Sequence, residues 1–366
     1  MKLLLKLFIA FIMMFANIGA VGIGRKNKTA DYIPAAAGVS SFVSMDVYSK
    51  RTLFEENGSA KRYPASLTKT LTAICAIENK DIDSEVVTDK SVCGIEGSSI
   101  YLKEGETYTL KALLYGLMLR SGNDAAIAVA KYVSGSVENF ADLMNKTALK
   151  AGAKNSNFTN PHGLHDENHY STAYDMALIS AYALKNEVFA EIVKTKSVRV
   201  TYKDPSGEEK VKVFINKNKM LSMYDGADGV KTGFTKNSGR CLISSATIGG
   251  FSVVTVVLNT YDMWEKSKEL LDSSFNNYER VTVAKADEMV AFTDIEGETE
   301  KCGLYIKNDV ILPLTKEEKK SLRVETEYPL SLKRPIKKDE PVGKIKIYAS
   351  NKLIFEEKIY TIIEKK

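Results

Sequence analysis

The chain has 366 residues, 44% of them hydrophobic and 27% charged, which supplies apolar material for two domains. This excludes a largely disordered or fibrous chain. The net charge is only +5, with basic and acidic residues interspersed, so the concentrated basic face of a nucleic-acid binder is missing.

Lys2 and Lys6 precede an uncharged, mostly apolar run from Leu7 to Gly24, which Arg25 and Lys26 close. With small residues at Gly19, Ala20 and Gly22, the segment 1–24 reads as a secretory signal. The run is long for a signal, so a retained membrane anchor competes, and a buried first helix is the third reading. The first two readings place the mature protein outside the cytoplasmic membrane. An exported chain could pair its four cysteines as two disulfides. Cys75, Cys93, Cys241 and Cys302 are far apart, however, and Cys75 and Cys241 lie in apolar runs. Buried free thiols are the better reading, and no zinc pattern is present.

Next come two short strand runs, Ser41–Val47 and Arg51–Phe54, with the texture of a hairpin. From Tyr63 to about Thr195 the pattern is mainly helical, with three-to-four spacing in Leu110–Leu119, Ala125–Val133, Val137–Ala151 and Thr172–Leu184. Strands return after Ser197. Cys241–Ile248 and Phe251–Leu258 flank Gly249-Gly250, a strong hairpin signal, and a helix over Met263–Phe275 follows. The expected class is α/β (α+β): a sheet drawn from both ends of a domain, with a helical block on it. From about Arg280 short strand-like runs recur, at Val281–Val283, Glu288–Phe292, Gly303–Ile306, Leu322–Thr326, Gly343–Tyr348 and Ile354–Ile362. They read as a small all-β domain without a catalytic constellation. The expected division is 30–278 for the first domain and 279–366 for the second.

Three short motifs carry chemistry. In Ser66-Leu67-Thr68-Lys69, Pro64 favours a helix start just before the serine. Residues three apart share a helix face, so Lys69 can reach the Ser66 hydroxyl. That hydroxyl needs a base, and a lysine serves only if burial or a second cation lowers its pKa. The Ser66 N–H, in a first helical turn, is free to face a developing oxyanion. Ser121-Gly122-Asn123 can place a hydroxyl and a carboxamide in one cleft, one to relay a proton and one to hold a substrate amide. Lys231-Thr232-Gly233 can bind a carboxylate from a strand edge, and its glycine admits a close substrate backbone. Each motif alone also reads as ordinary structure: a helix start, a helix cap or an edge strand.

Their order, Ser-x-x-Lys, Ser-x-Asn, Lys-Thr-Gly, is that of penicillin-binding proteins and class A β-lactamases. The longer stretches Tyr63–Lys69, Ser121–Ala126, Met144-Asn145, Asn160–Leu164, Tyr170–Ala173 with Asp175, and Asp228–Thr235 resemble the low-molecular-mass D-alanyl-D-alanine carboxypeptidases. The resemblance covers about Ser41 to Phe275, and the later β region is similar to the C-terminal β-sandwich many of these enzymes carry. It implies the DD-peptidase/β-lactamase-like fold, an antiparallel sheet with a helical block. It implies a serine hydrolase that acts on the peptidoglycan pentapeptide ending in D-Ala-D-Ala. Ser66 would attack, Lys69 would be the base and Ser121 would shuttle protons. Asn123 would hold the substrate amide, Lys231 would tune the site's charge and Thr232 would bind the terminal carboxylate. The Ser66 and Phe234 N–H groups would form the oxyanion hole. β-Lactams would acylate the same serine, and no metal or other cofactor is implied.

Members of that family often end in an amphipathic membrane-anchoring helix. Here the β-branched content of Ile354–Ile363 favours a strand, so attachment rests on the N-terminal segment or is absent. Three rivals stand beside this reading. A serine β-lactamase would need a carboxylate for its deacylating water; Glu167 lies between the second and third motifs, but no Glu-x-x-Leu-Asn follows. A metal site could use His165 and His169, four apart, but the acid order fits no zincin, and ordinary loop histidines are the better reading. The third rival is a catalytically silent cell-wall-binding protein of the same fold.

Overall fold

The computed structural model describes residues 40–365, so the segment 1–24 lies outside the described residues. Strands β1 (Ser41–Asp46) and β2 (Thr52–Glu56) form an antiparallel hairpin. The chain then makes a turn of 3-10 helix, Ala65–Thr68, which runs directly into the helix Lys69–Asn79. The short strands β3 (Glu85–Val87) and β4 (Thr107–Thr109) later join β5 (Ser197–Lys203) and β6 (Glu209–Ile215) in a four-stranded sheet of order β3-β4-β5-β6. The stretch from Tyr63 to Thr195 is therefore not only helical. Three-residue strands are too short for alternation to register against the helical pattern around them. The helices Leu110–Leu119 and Val137–Ala151 have the expected bounds, while the other two are Asn123–Ser134 and Ala173–Leu184.

Three further strands, β7 (Ala227–Thr235), β8 (Gly239–Ile248) and β9 (Phe251–Leu258), complete a five-stranded antiparallel sheet of order β2-β1-β9-β8-β7. The turn between β8 and β9 pairs Ile248 with Phe251 around Gly249 and Gly250, whose φ values of 57° and 79° suit glycine. Both faces of this sheet are buried. Val43, Met45, Ile243, Val254 and Val256 pack into the helical block with Leu71, Ile74 and Leu113. Phe42, Leu242, Val253 and Val257 pack on the other side against Leu270 and Leu271 of the helix Met263–Asn277. Burying each such side chain is worth about 1.5–3 kcal/mol. The sheet is thus a stiff middle layer, and β7, at its edge, is held by it.

After Tyr278 the chain is nearly all strand. β10 (Glu279–Ala284) pairs with β13 (Val310–Leu314). A six-stranded sheet has the order β14-β16-β17-β12-β11-β15, from β11 (Met289–Ile295), β12 (Lys301–Tyr305), β14 (Arg323–Glu327), β15 (Ser331–Leu332), β16 (Pro341–Ala349) and β17 (Lys352–Thr361). Two elements here escape the pattern reading. β13 carries Pro313, which weakens a strand signal. The helix Lys316–Lys320 has no apolar face, but a Thr315–Glu318 capping box starts it. The last strand, Lys352–Thr361, falls where the β-branched content favours one.

Arg51, between β1 and β2, donates to the Pro313 carbonyl and to the Glu318 carboxylate, and the Tyr278 hydroxyl donates to Leu53 O at 3.0 Å. All four cysteines are free thiols; Cys75, Cys241 and Cys302 are buried and Cys93 is partly exposed. Among the described residues no helix is long and apolar enough to cross a membrane.

Candidate active site

The first motif sits where the 3-10 turn meets the helix that follows. Ala65, just before the serine, has a φ of 50°. This left-handed residue brings the chain sharply into the turn, and Ser66 is left partly exposed at its start. Lys69 opens the next helix and is fully buried. Its Nζ lies 3.0 Å from Ser66 Oγ, 2.7 Å from Asn123 Oδ1 and 2.7 Å from the His162 carbonyl. Burial holds the Lys69 ammonium well below the usual lysine range, and the positive charges of Lys231 and Lys217 lower it further; Asp124 opposes them. A neutral amine has two hydrogens and one lone pair. The two oxygen acceptors at 2.7 Å take the hydrogens, and the lone pair is then left for Ser66.

The second motif caps the helix Asn123–Ser134. Ser121 is buried with a φ of 64°, and Asn123 is the first helical residue rather than a loop residue. The Asn123 carboxamide is engaged at both ends. Its oxygen accepts from Lys69, and its Nδ2 donates to the Glu96 carbonyl at 2.5 Å. Gly97 allows this approach, because a Cβ there would come within 2.7 Å of Asn123 Nδ2. Asn123 thus orients Lys69 directly, in addition to any contact it makes with substrate.

The third motif lies on β7 at the sheet edge. Lys231 is buried, and its Nζ donates to the Thr232 carbonyl at 2.9 Å. Burial and the charge of Lys217 push its pKa down to about 7. Gly233 passes so close to the first motif that a Cβ would meet Ser66 N at 3.2 Å and Leu67 N at 3.3 Å. The strand therefore runs alongside the serine, with the Phe234 amide next in the chain and the Phe234 side chain exposed. The Ser121 and Thr232 hydroxyls bond no other described residue, which leaves both for a ligand.

A loop closes the cluster from the side. Its Pro161 and His162 carbonyls accept from Thr72 and Lys69, each at 2.7 Å. At Gly163, φ 83°, a Cβ would fall 1.9 Å from the Ala65 carbonyl, so only glycine fits. His169 Nδ1 accepts from the Thr159 amide at 3.1 Å; its proton is therefore on Nε2, which donates to Thr68 Oγ1 at 2.8 Å. Burial pushes His169 down to about 4 and His162 down to about 3, so both are neutral at ordinary pH. His165 packs edge-on against Tyr63, at 4.7 Å between ring centroids. These histidines build the loop, and among the described residues no cluster of three or more potential metal ligands forms. Glu167, in the same loop, is exposed.

Similarity to known proteins decides the family. The family model described as D-alanyl-D-alanine carboxypeptidase matches residues 27–262. The chain belongs to the D-alanyl-D-alanine carboxypeptidase family. It is accordingly a serine hydrolase. A second model, described as the C-terminal domain of penicillin-binding protein 5, matches residues 278–364. The chain is 32% identical over 318 residues to the D-alanyl-D-alanine carboxypeptidase DacF of Bacillus subtilis (strain 168), covering 84% of this chain and 80% of that protein. It is also 32% identical over 345 residues to DacA of Escherichia coli (strain K12), with 88% and 83% covered. Among solved structures, penicillin binding protein 5 from Haemophilus influenzae aligns with a TM-score of 0.76 and 28% identity, over 94% of this chain and 99% of that one. The Streptomyces K15 DD-transpeptidase aligns with a TM-score of 0.62 and 32% identity, over 67% and 98%. The mixed sheet-and-helix fold with a C-terminal all-β part is the one the resemblance implied.

Four contributors lay outside the sequence reading. The His162 and Glu96 carbonyls act through backbone, which no residue type signals. Lys217 sits in a polar run, Asn216-Lys-Asn-Lys, without a pattern. Asp124 alone left a trace, as an acid in the first turn of a helix.

Proposed function

We propose that Ser66 is the nucleophile through which this carboxypeptidase removes the terminal D-Ala from peptidoglycan stem peptides. The observation that carries the proposal is the Lys69 Nζ, buried and 3.0 Å from Ser66 Oγ, with its hydrogens directed at two other oxygens. Neutral Lys69 takes the Ser66 proton as the oxygen attacks the penultimate D-Ala carbonyl. The Ser66 and Phe234 amides receive the oxyanion, supported by the close approach of Gly233 to Ser66 N. As the C–N bond breaks, Ser121 gives its proton to the leaving D-Ala nitrogen and takes one from the Lys69 ammonium, which is neutral again. Asn123 holds the substrate amide while it keeps Lys69 in place. Thr232 binds the terminal carboxylate, and Lys231, with its pKa near 7, adds positive charge beside it. Water then hydrolyses the acyl-enzyme. A β-lactam follows the first half of this path and acylates Ser66.

The substrate class requires work outside the cytoplasmic membrane. The segment 1–24 serves as the export signal in this proposal, or as the N-terminal attachment to the membrane. Catalysis belongs to 30–278, and 279–366 is a β-rich spacer or docking module. The test is release of D-Ala from a peptide ending in D-Ala-D-Ala, with and without EDTA. Wild type should release it equally in both, and Ser66→Ala should release none above background. Unchanged release by Ser66→Ala would overturn the assignment.

A further inference from the structure

Asp124 is the most heavily engaged carboxylate near the site, yet it touches neither Ser66 nor Lys69. It is only 1% exposed, on the first turn of the helix that Asn123 opens. Its Oδ2 accepts from Ser99 Oγ at 2.5 Å and from the Leu102 amide at 3.1 Å. The Ile100 amide lies 3.1 Å from both carboxylate oxygens, and Oδ1 also accepts from the Ala125 amide at 2.9 Å. Three donors from one segment, residues 99–102, thus converge on one buried carboxylate.

The same segment grips Asn123 immediately upstream. The Asn123 amide donates to the Ser98 carbonyl at 2.7 Å, and its Nδ2 donates to the Glu96 carbonyl at 2.5 Å. Ser98 Oγ accepts from Lys217 at 3.2 Å. A carboxamide can point either end at a neighbour. Here the Glu96 carbonyl can only accept, so it fixes the nitrogen end and turns the oxygen to Lys69. The position of that carbonyl depends on a segment whose downstream end is tied to Asp124.

We propose that Asp124 is a positioning residue, which through segment 96–102 holds the Asn123 carboxamide oxygen against Lys69. It makes no contact with the reacting atoms. Asn at 124 would offer one acceptor oxygen where two now accept, and its NH2 would face backbone donors. The segment would then shift, Glu96 would release Asn123, and Lys69 would lose one of the two acceptors that aim it at Ser66. Misplacement of this kind costs catalysis about 10- to 100-fold.

The inference rests on the Ser66–Lys69 assignment proposed above, so its test separates the two. The acylation rate of the whole chain by a fluorescent penicillin is measured for wild type, Asp124→Asn, Ser99→Ala, Asn123→Ala and the two doubles that contain Asn123→Ala. Asp124→Asn should slow acylation about 10- to 100-fold when Asn123 is present, and less than about two-fold further when it is absent. Ser99→Ala, which removes one bond and keeps the charge, should slow it about two- to five-fold, again only when Asn123 is present. A merely structural role would reduce folded protein and give the same factor in both backgrounds, and that result, or a wild-type rate, overturns the inference. If Asp124→Asn does not fold, the Ser99→Ala cycle decides by the same criterion. Labelling that persists in Ser66→Ala would instead overturn the site assignment itself.

Discussion

In the β-rich region Lys344 meets Glu356 at 2.6 Å and Lys301 meets Asp294 at 3.0 Å, with both members of each pair well solvated. Lys346 also pairs with Glu327, and Lys365 with Glu300 and the partly buried Glu298, and among the described residues no lysine of that region is buried. In the helix-and-sheet region Lys69 and Lys231 are buried and form no ion pair with any described carboxylate. Exposed pairs are worth about 0–1 kcal/mol each and keep ordinary chemistry. A buried lysine without a carboxylate costs stability, and it becomes a base or a tunable charge because its protonated form is disfavoured. The same residue type therefore forms solvated pairs on both regions, and among the described residues only the helix-and-sheet region also buries it.

The largest effect should come from removing the pair this burial creates. Ser66→Ala should lower D-Ala release by about 10⁴-fold or more, measured as kcat/KM on a D-Ala-D-Ala peptide. Lys69→Met should slow β-lactam acylation by about 10²–10⁴-fold while the protein stays folded, because the serine loses its base. Acylation at or near the wild-type rate in Lys69→Met would erase the contrast between the regions.

Substrate-facing groups should matter less. In the proposed mechanism, Thr232→Val removes one hydrogen bond to a charged carboxylate, a loss of about 1.5–3 kcal/mol. The expected result is a rise in KM of about 10- to 100-fold with a smaller change in kcat, read from peptide kinetics.

Lys231 sharpens the comparison through stability. Its folded-state pKa of about 7 lies below the ordinary lysine value of 10.5. Between these values the unfolded chain binds the extra proton, so this lysine makes stability rise with pH across that window. Below pH 7 both states are protonated and the full cost remains. Lys231→Met should therefore raise the thermal midpoint most at or below pH 7, by about 1–3 kcal/mol in stability, and the gain should shrink towards pH 10. A gain independent of pH would contradict the depressed pKa. At the other extreme, Lys344→Ala in the β-rich region should change stability by less than about 1 kcal/mol, and acylation should be unchanged.

Much of this was legible from the residues themselves. The periodicity of Leu110–Leu119 and Val137–Ala151 gave both helices their observed bounds: the second has one apolar face against the core, and the first is buried on nearly every side. Gly249-Gly250 marked its hairpin because the turn needs positive φ. The three motifs pointed at a shared site through residue types and order. Their distances could not be read. The Asn123 carboxamide, expected to serve the substrate, also holds Lys69, a contact set by the fold across 54 positions of chain. β13 was hidden by Pro313, and β3 and β4 by their length. The carbonyls of Glu96 and His162 carry no side-chain signature, and Lys217 lies in a short polar run without a pattern.

The most direct test of the central claim is to locate the acylated residue. Wild type and Ser66→Ala are labelled with a fluorescent penicillin, digested, and the labelled peptide mapped by mass spectrometry. The expected result is a single labelled peptide containing Ser66 in wild type and no label in Ser66→Ala. Label on another residue, or label retained by Ser66→Ala, would contradict it.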